Sequence, residues 1–526
     1  MILQGKRVAL PSAPVVHQRF EAHAAATPDA VAVRCAGRQV TYAELDARAN
    51  RFAHHLTARG IGRGALVGIC LDYSVDLVVA LLGTLKAGAA YVPFDPAYPA
   101  ARLKLLLGQV PGLALVVTSP ATAGLVGPAV ETVDLEQLSE HLAGLPVTGP
   151  EVPVTGDDLC YAVFTSGSTG TPKLTAVRHR NWYNLLNWLT LEYRLDHRSG
   201  NLVVSAFGFD LSQRALLTPL FCGATQHLLA SRNFDPAMAY RTLDRHGIRV
   251  VHCASSTLYL LVDWETARGG AALARLDHVL FGGEPLRVER IADWARREDN
   301  TCTLLHQYGV AECTDVATSY DLAGYRPGDH DIAPVGTPAH NTDIHILDER
   351  MRGVGPGEYG EICISGAGVG AGYLGRTGPE SERFTTVEID GTPRGLYRTG
   401  DRGRVNEDGE LVVAGRLDAQ VKVRGMRIDP ADVERALGRL AGVREAAVVV
   451  RYTGSGDAEL IAFVVPAGEE LAEHDVRVRL LETLPRNMVP ARFLTISRLP
   501  LSPHGKVDRA ALADRCENHY ADSGAV

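Results

Sequence analysis

At 526 residues the chain is too long for one hydrophobic core, and 46% hydrophobic with 22% charged residues is ordinary for a globular protein in water, so two or more packed domains are expected. A net charge of −8, with no basic run and no interleaved aromatic stripe, argues against a nucleic-acid partner, and no stretch of about 18 apolar residues argues for a membrane span. The nine cysteines follow no CxxC or CxxH spacing, which fits neither a disulfide framework nor a zinc site and predicts reduced, buried small hydrophobes.

Residues 1–16 carry Lys6 and Arg7 but no sustained apolar stretch, so no leader is expected and the location is cytoplasmic by default. Residues 65–70 read as a strand and 76–86 as a helix. Repeated along the chain, this alternation predicts layered α/β structure with largely parallel sheets. Pro and Gly cluster over 145–156, which predicts a connection between two N-terminal subdomains. An apolar strand over 159–165 then breaks into Thr165-Ser166-Gly167-Ser168-Thr169-Gly170-Thr171-Pro172-Lys173. Glycines let backbone N–H groups approach an anion, hydroxyls add donors and Lys173 adds positive charge, so the loop suits phosphate. Leu174 stands where a Walker loop has Ser or Thr, and the glycine spacing also differs, so the nucleotide is used differently here.

A second boundary falls at Gly415-Arg416-Leu417-Asp418-Ala419-Gln420-Val421-Lys422-Val423-Arg424-Gly425, beyond which a helix (431–440) and two strands (445–450, 459–465) suggest a small α+β domain. The fold class is therefore α/β: an N-terminal core of layered subdomains, 1–417, and a mobile α+β lid, 418–526. Four further stretches carry chemistry-bearing side chains: Phe209-Asp210-Leu211-Ser212, Tyr308-Gly309-Val310-Ala311-Glu312, Tyr397-Arg398-Thr399-Gly400-Asp401, and Ser502-Pro503-His504-Gly505-Lys506-Val507-Asp508-Arg509. Taken singly, each has an ordinary reading: Asp210 as a helix N-cap, Lys506 as a solvated loop lysine, Asp418 as a surface turn.

Together and in this order, these stretches resemble the adenylate-forming superfamily, and specifically the amino-acid adenylation domains of nonribosomal peptide synthesis. The resemblance runs from Thr41-Tyr42-Ala43-Glu44-Leu45 to Lys506-Val507-Asp508-Arg509. It implies ATP and Mg²⁺ as cofactors and a two-step reaction, in which a carboxylate attacks the α-phosphate of ATP and the acyl adenylate then reacts with a thiol. Thr165, Ser166, Gly167, Ser168, Thr169, Gly170 and Lys173 would hold phosphate, and Lys506 would bridge the substrate carboxylate and the nucleotide. Tyr308 would stack on adenine, Glu312 would help to hold Mg²⁺, Asp401 would take the ribose hydroxyls, and Arg416 would be a second ribose or phosphate contact. Asp418 would be the hinge on which the lid rotates, withdrawing Lys506 and letting the thiol approach past Gly425.

In the same resemblance Asp210 pairs the α-ammonium of an amino acid, and alignment adds Leu211, Arg214, His252, Leu280, Gly282, Gln307, Asp315 and Val316 to the substrate pocket. That set is unusually polar, so a polar side chain is expected. Arg214 and Asp315 cancel in charge, favouring homoserine, serine or glutamine. Asp315 alone would suit ornithine or β-lysine, Arg214 alone an acidic group, the two could form an internal ion pair, and His252 could be a core histidine. Five positions depart from the family pattern: Leu174 for Gly, Val310-Ala311 for Pro-Thr, Ala371 for Arg and His504 for Asn. None touches Asp210, Glu312, Asp401 or Lys506, so activity is expected.

Too few residues follow Arg509 for a carrier domain, so the phosphopantetheine thiol is expected from a separate carrier protein. Either a free-standing enzyme or a module cut from a larger synthetase fits, Met1 favouring the first, and an MbtH-like activator is compatible with both. The product would be a nonribosomal peptide or a related natural product. The competing readings are an acyl-CoA synthetase of the same superfamily and a non-catalytic amino-acid or nucleotide sensor.

Overall fold

The computed structural model describes the chain except at residues 167–171, 233, 324, 326–331, 377–380, 390, 419, 424, 454–457, 469–471, 501–506 and 523–526, and the side chains of 521–522. Among the described residues the strands form nine-, seven- and six-stranded sheets before residue 417, and two- and three-stranded sheets after it. Short apolar runs became strands buried on both faces: every residue of Leu66–Ile69 and of Ala90–Pro93 is buried, and the two pair in parallel. Parallel strands need a crossover helix. The one between them, Val75–Lys86, starts at the Ser74 side-chain cap and is buried at every residue but Asp76, as befits a helix apolar on all sides.

In the nine-stranded sheet Asn201–Val203, Val250–Ala254, His278–Gly282 and Thr303–Tyr308 run parallel. In the seven-stranded sheet Ala90–Pro93 runs parallel to Leu66–Ile69 and Leu159–Thr165. The carboxyl ends of both sets open onto one cleft, the place where open α/β sheets hold ligands. One expectation is corrected. The stretch 145–156 does not join two subdomains, because Thr132–Asp134 before it and Leu159–Thr165 after it lie in the same seven-stranded sheet. Pro and Gly mark where a chain turns, not which sheet it enters next.

Strand Leu411–Arg416 still pairs with Thr392–Val405 of the six-stranded sheet, whereas Val421–Val423 and Met426–Ile428 pair only with each other. Helix Pro430–Gly438 follows, capped by Asp429, and then Val443–Tyr452 antiparallel to Ala458–Pro466 and Arg492–Thr495 parallel to the latter. The lid core gathers Val423, Met426, Ile428, Val433 and Leu437, and Phe209 of the N-terminal domain packs against it. All nine cysteines are free, and among the described residues no helix is long and apolar enough to cross a membrane.

Burial of His179 carries a pH signature. Its Nδ1 lies 3.3 Å from the Val16 N–H and must accept it, His17 packs edge-on at 5.5 Å, and burial pushes His179 down to about 4. A histidine neutral in the folded state contributes stability that is fully present above pH ~6.5 and is lost as pH falls through about 4. His179 alone accounts for about 3 kcal/mol over that window. Urea midpoints measured from pH 7 to 4.5 should fall accordingly, and the fall should be shallower in His179→Gln.

Candidate active site

The cleft is a cavity of about 880 Å³ bounded by the strand ends of both sheets and by the lid. Thr165 and Ser166 close one side, Gly282, Gln307 and Tyr308 the floor, and Lys422, Gly425 and Arg427 of the lid the far side. Helix Asp210–Cys222 enters with Phe209, not Asp210, at its N-cap, and ends at Gly223 in left-handed backbone (φ 84°). Ser212 ties the entry loop by donating to the Phe207 and Phe209 carbonyls at 2.9 and 2.6 Å. Asp210 is thus the first helical residue, and its Oδ1 accepts the Leu211 N–H at 2.8 Å. The side chain lines the cavity. Burial raises its carboxyl above the usual range, against the pull of the Leu211 N–H and Arg214.

Arg214, one turn further on, is 1% exposed; its Nε lies 2.8 Å from Asp315 Oδ2 and its Nη1 donates to Gln307 Oε1. Burial raises the Asp315 carboxyl, and the guanidinium beside it favours the ionised form. Of the alternatives open in the sequence, the internal ion pair is the one present. Leu211, Gly282 and Val316 also line the cavity, but His252 and Leu280 do not. Both are fully buried on the central strands, on the sheet face that carries Gly282, and burial, with Arg214 and His278 adding to it, keeps His252 neutral.

Tyr308 lines the cavity and donates its hydroxyl to Asp401 Oδ2 at 2.7 Å. Arg416 then links Asp401, at 2.5 Å, to Asp418, at 2.6 Å, and Arg383 donates to the same Asp418 at 3.0 Å. Burial would raise Asp418, but the two guanidinium groups outweigh it and hold it at about 2. The candidate ribose acid and the candidate hinge are therefore one network. Gly400, at φ +73°, lets it pack close, since a Cβ there would stand 2.8 Å from Arg383 Nη1 and 2.9 Å from Arg416 Nη2.

Glu312 is buried, its Oε1 accepting the Tyr373 hydroxyl at 2.7 Å and its Oε2 lying 3.5 Å from Arg427 Nη1, with no hydrogen bond to that oxygen among the described residues. Burial would raise this carboxyl; Arg427 and Tyr373 hold it below the usual range. Lys173 is buried, its Nζ 5.3 Å from the Tyr373 ring centroid, and does not itself line the cavity. Gly167, Ser168, Thr169, Gly170 and Lys506 lie outside the described residues.

Among the cavity residues unassigned from sequence are two cations beside the candidate nucleotide residues. Lys422, with Nζ 5.6 Å from the Tyr308 ring, and Arg427 come from the lid hairpin around Gly425. Their signal was available, since both stand within two or three residues of the glycine already picked out as the face for a thiol.

Residues 20–374 match the AMP-binding enzyme family and residues 432–506 the AMP-binding enzyme C-terminal domain. A dimodular nonribosomal peptide synthase of Bacillus subtilis (strain 168) is 36% identical over 516 residues, covering 94% of this chain and 21% of the relative, so the chain spans about a fifth of its length. A solved nonribosomal peptide synthetase protein containing adenylation and PCP domains, bound to a vinylsulfonamide inhibitor, superposes with a TM-score of 0.81 at 27% identity, covering 96% of this chain and 84% of that one. An artificially fused adenylation–PCP di-domain from Klebsiella oxytoca has a TM-score of 0.83 at 24% identity, covering 92% and 94%.

Proposed function

The chain is an AMP-forming ligase of the AMP-binding enzyme family, in the branch of nonribosomal peptide synthetase adenylation domains, and on that premise we propose that it activates a polar amino acid and passes it to a carrier protein's phosphopantetheine thiol. The observation that carries this reading is Asp210, whose carboxylate reaches the same cavity as Tyr308 and Glu312. A fatty or aryl acid has no ammonium with which to compensate a half-buried anion there.

In the first step the substrate carboxylate oxygen bonds to the α-phosphorus of ATP and the α–β anhydride bond breaks, releasing pyrophosphate. In the second, thiolate sulfur bonds to the acyl carbon and AMP leaves. Both steps develop negative charge, which preorganised cations and donors stabilise. The loop from Thr165 through Ser166, Gly167, Ser168, Thr169 and Gly170, with Lys173 behind it, would hold phosphate, and Lys506 would meet the substrate carboxylate. Tyr308 would stack on adenine, and Asp401 with Arg416 would take the ribose. Glu312 fits Mg²⁺, because a buried carboxylate oxygen without a hydrogen bond suits a hard cation that draws its remaining ligands from phosphate and water. When bound, the metal supplies positive charge against the phosphates. Rotation about Asp418 would exchange the Lys506 face of the lid for the Gly425 face. The reading places the reaction in the cytoplasm, with ATP at hand.

Amino-acid-dependent ATP–pyrophosphate exchange, followed by transfer of labelled acyl group to a phosphopantetheinylated carrier, tests the proposal. Lys506→Ala should lower exchange by roughly 10²–10³-fold. Exchange with fatty acids and none with amino acids would give the site to an acyl-CoA synthetase, and amino-acid binding without exchange would make it a sensor. Adding an MbtH-like protein to the same assay shows whether a small activator is required.

A further inference from the structure

The side-chain end of the cavity is lined by residues that each suit a charged ligand, yet the fold has already paired them. Arg214 and Asp315 are both buried, with 2.8 Å between Nε and Oδ2. Asp315 is fixed by its backbone: Thr314 and Asp315 stand in left-handed conformation at φ 62° and 68°, where residues other than glycine are held only by their surroundings. Gln307 gives its Oε1 to Arg214, while its Nε2, on a residue that lines the cavity, is buried and makes no well-formed hydrogen bond among the described residues, the Tyr193 hydroxyl being a neighbour that feels it. Asp210 feels the charge of Arg214 but forms no salt bridge with it, its Oδ1 accepting the Leu211 N–H, so its carboxylate is left for an ammonium.

We infer that the Arg214–Asp315 pair is a charge lock that confines the substrate to an amino acid with a neutral side chain carrying a hydrogen-bond acceptor, a carboxamide or a hydroxyl. The inference rests on the reading of the cavity as an amino-acid site. An acidic side chain finds Arg214 engaged and Asp315 repelling it; a basic one finds Asp315 engaged and Arg214 repelling it. A neutral oxygen can take the spare Gln307 N–H, whereas a hydrocarbon leaves that buried donor unpaired.

The test is exchange with glutamine, homoserine, norvaline, glutamate and ornithine. In the unaltered protein kcat/KM should be highest for glutamine or homoserine and about 100-fold lower for glutamate and ornithine, with norvaline between. Arg214→Met should shift the ornithine-to-glutamine ratio upward by about 100-fold, and Asp315→Asn the glutamate-to-glutamine ratio likewise. Because single changes strand a buried charge, the double variant Arg214→Met with Asp315→Gly is included: it removes both charges, glycine takes the left-handed backbone at 315 without strain, and the protein should fold and favour norvaline. Preference of the unaltered protein for glutamate or ornithine, or single variants whose charged-to-neutral ratios stay put, overturns the lock and leaves amino-acid activation standing. Silence with every amino acid overturns both.

Discussion

Asp210→Ala is expected to lose about 3–5 kcal/mol of amino-acid binding, a rise of roughly 10²–10⁴-fold in the amino-acid KM, with little change in the KM for ATP. The size follows from burial. Removing Asp210 leaves the substrate ammonium facing a cavity whose neighbouring cations, Arg214 and Lys422, are both coupled to that carboxylate. Asp210→Asn separates charge from shape, for it keeps an oxygen that can accept the Leu211 N–H and removes only the charge. It should fail nearly as badly as alanine. Acid gives a third readout: because burial raises the Asp210 carboxyl, protonation on the acidic side should raise the amino-acid KM while leaving that for ATP alone. An amino-acid KM within twofold of the unaltered value in both variants would remove Asp210 from the substrate site.

How far the site could be read from sequence depended on whether its geometry was local. Asp210, Tyr308 and Glu312 sit at or just past the ends of elements, and they were picked out through the resemblance that their stretches carry together, since each stretch alone has an ordinary reading. His252 and Leu280 lie within strands of the nine-stranded sheet on the same face as Gly282, and how deep a residue sits on that face depends on the layers packed over it; both lie buried beneath the cavity lining. The Arg214–Asp315 pair spans helix and loop elements brought together only by the parallel sheet, so residue types alone left four alternatives open. Sheet membership was the least legible feature. The strands Val31–Cys35 and Arg38–Thr41 join the nine-stranded sheet although the next six strands build the seven-stranded one. Three-residue strands such as Val421–Val423 carry no periodicity to read, and the hairpin that bears Lys422 and Arg427 was missed for that reason.

Gly425→Leu should divide the two half-reactions. Gly425 turns between Val421–Val423 and Met426–Ile428 at φ +76°, and a Cβ on it would stand 2.7 Å from the Ala254 Cβ, closer than side chains tolerate. On the other side a Cβ on Gly283 would lie 3.7 Å from the Gly425 carbonyl oxygen, so backbone meets backbone where lid and cavity wall touch. Leucine cannot seat there, and the left-handed backbone adds about 1–2 kcal/mol of its own. The same hairpin carries Arg427 to Glu312 and Lys422 to Tyr308, so displacing it withdraws both cations from the cavity. If this seating is the pose that admits the thiol, transfer to the carrier should fall by about 100-fold, the cost of an ångström-scale misplacement. Pyrophosphate exchange, which under the proposed rotation uses the Lys506 face of the lid, should stay within a few-fold. Single-turnover transfer measured beside exchange decides it: a parallel fall in both makes Gly425 a folding requirement, and no fall in either means the thiol does not approach across this surface.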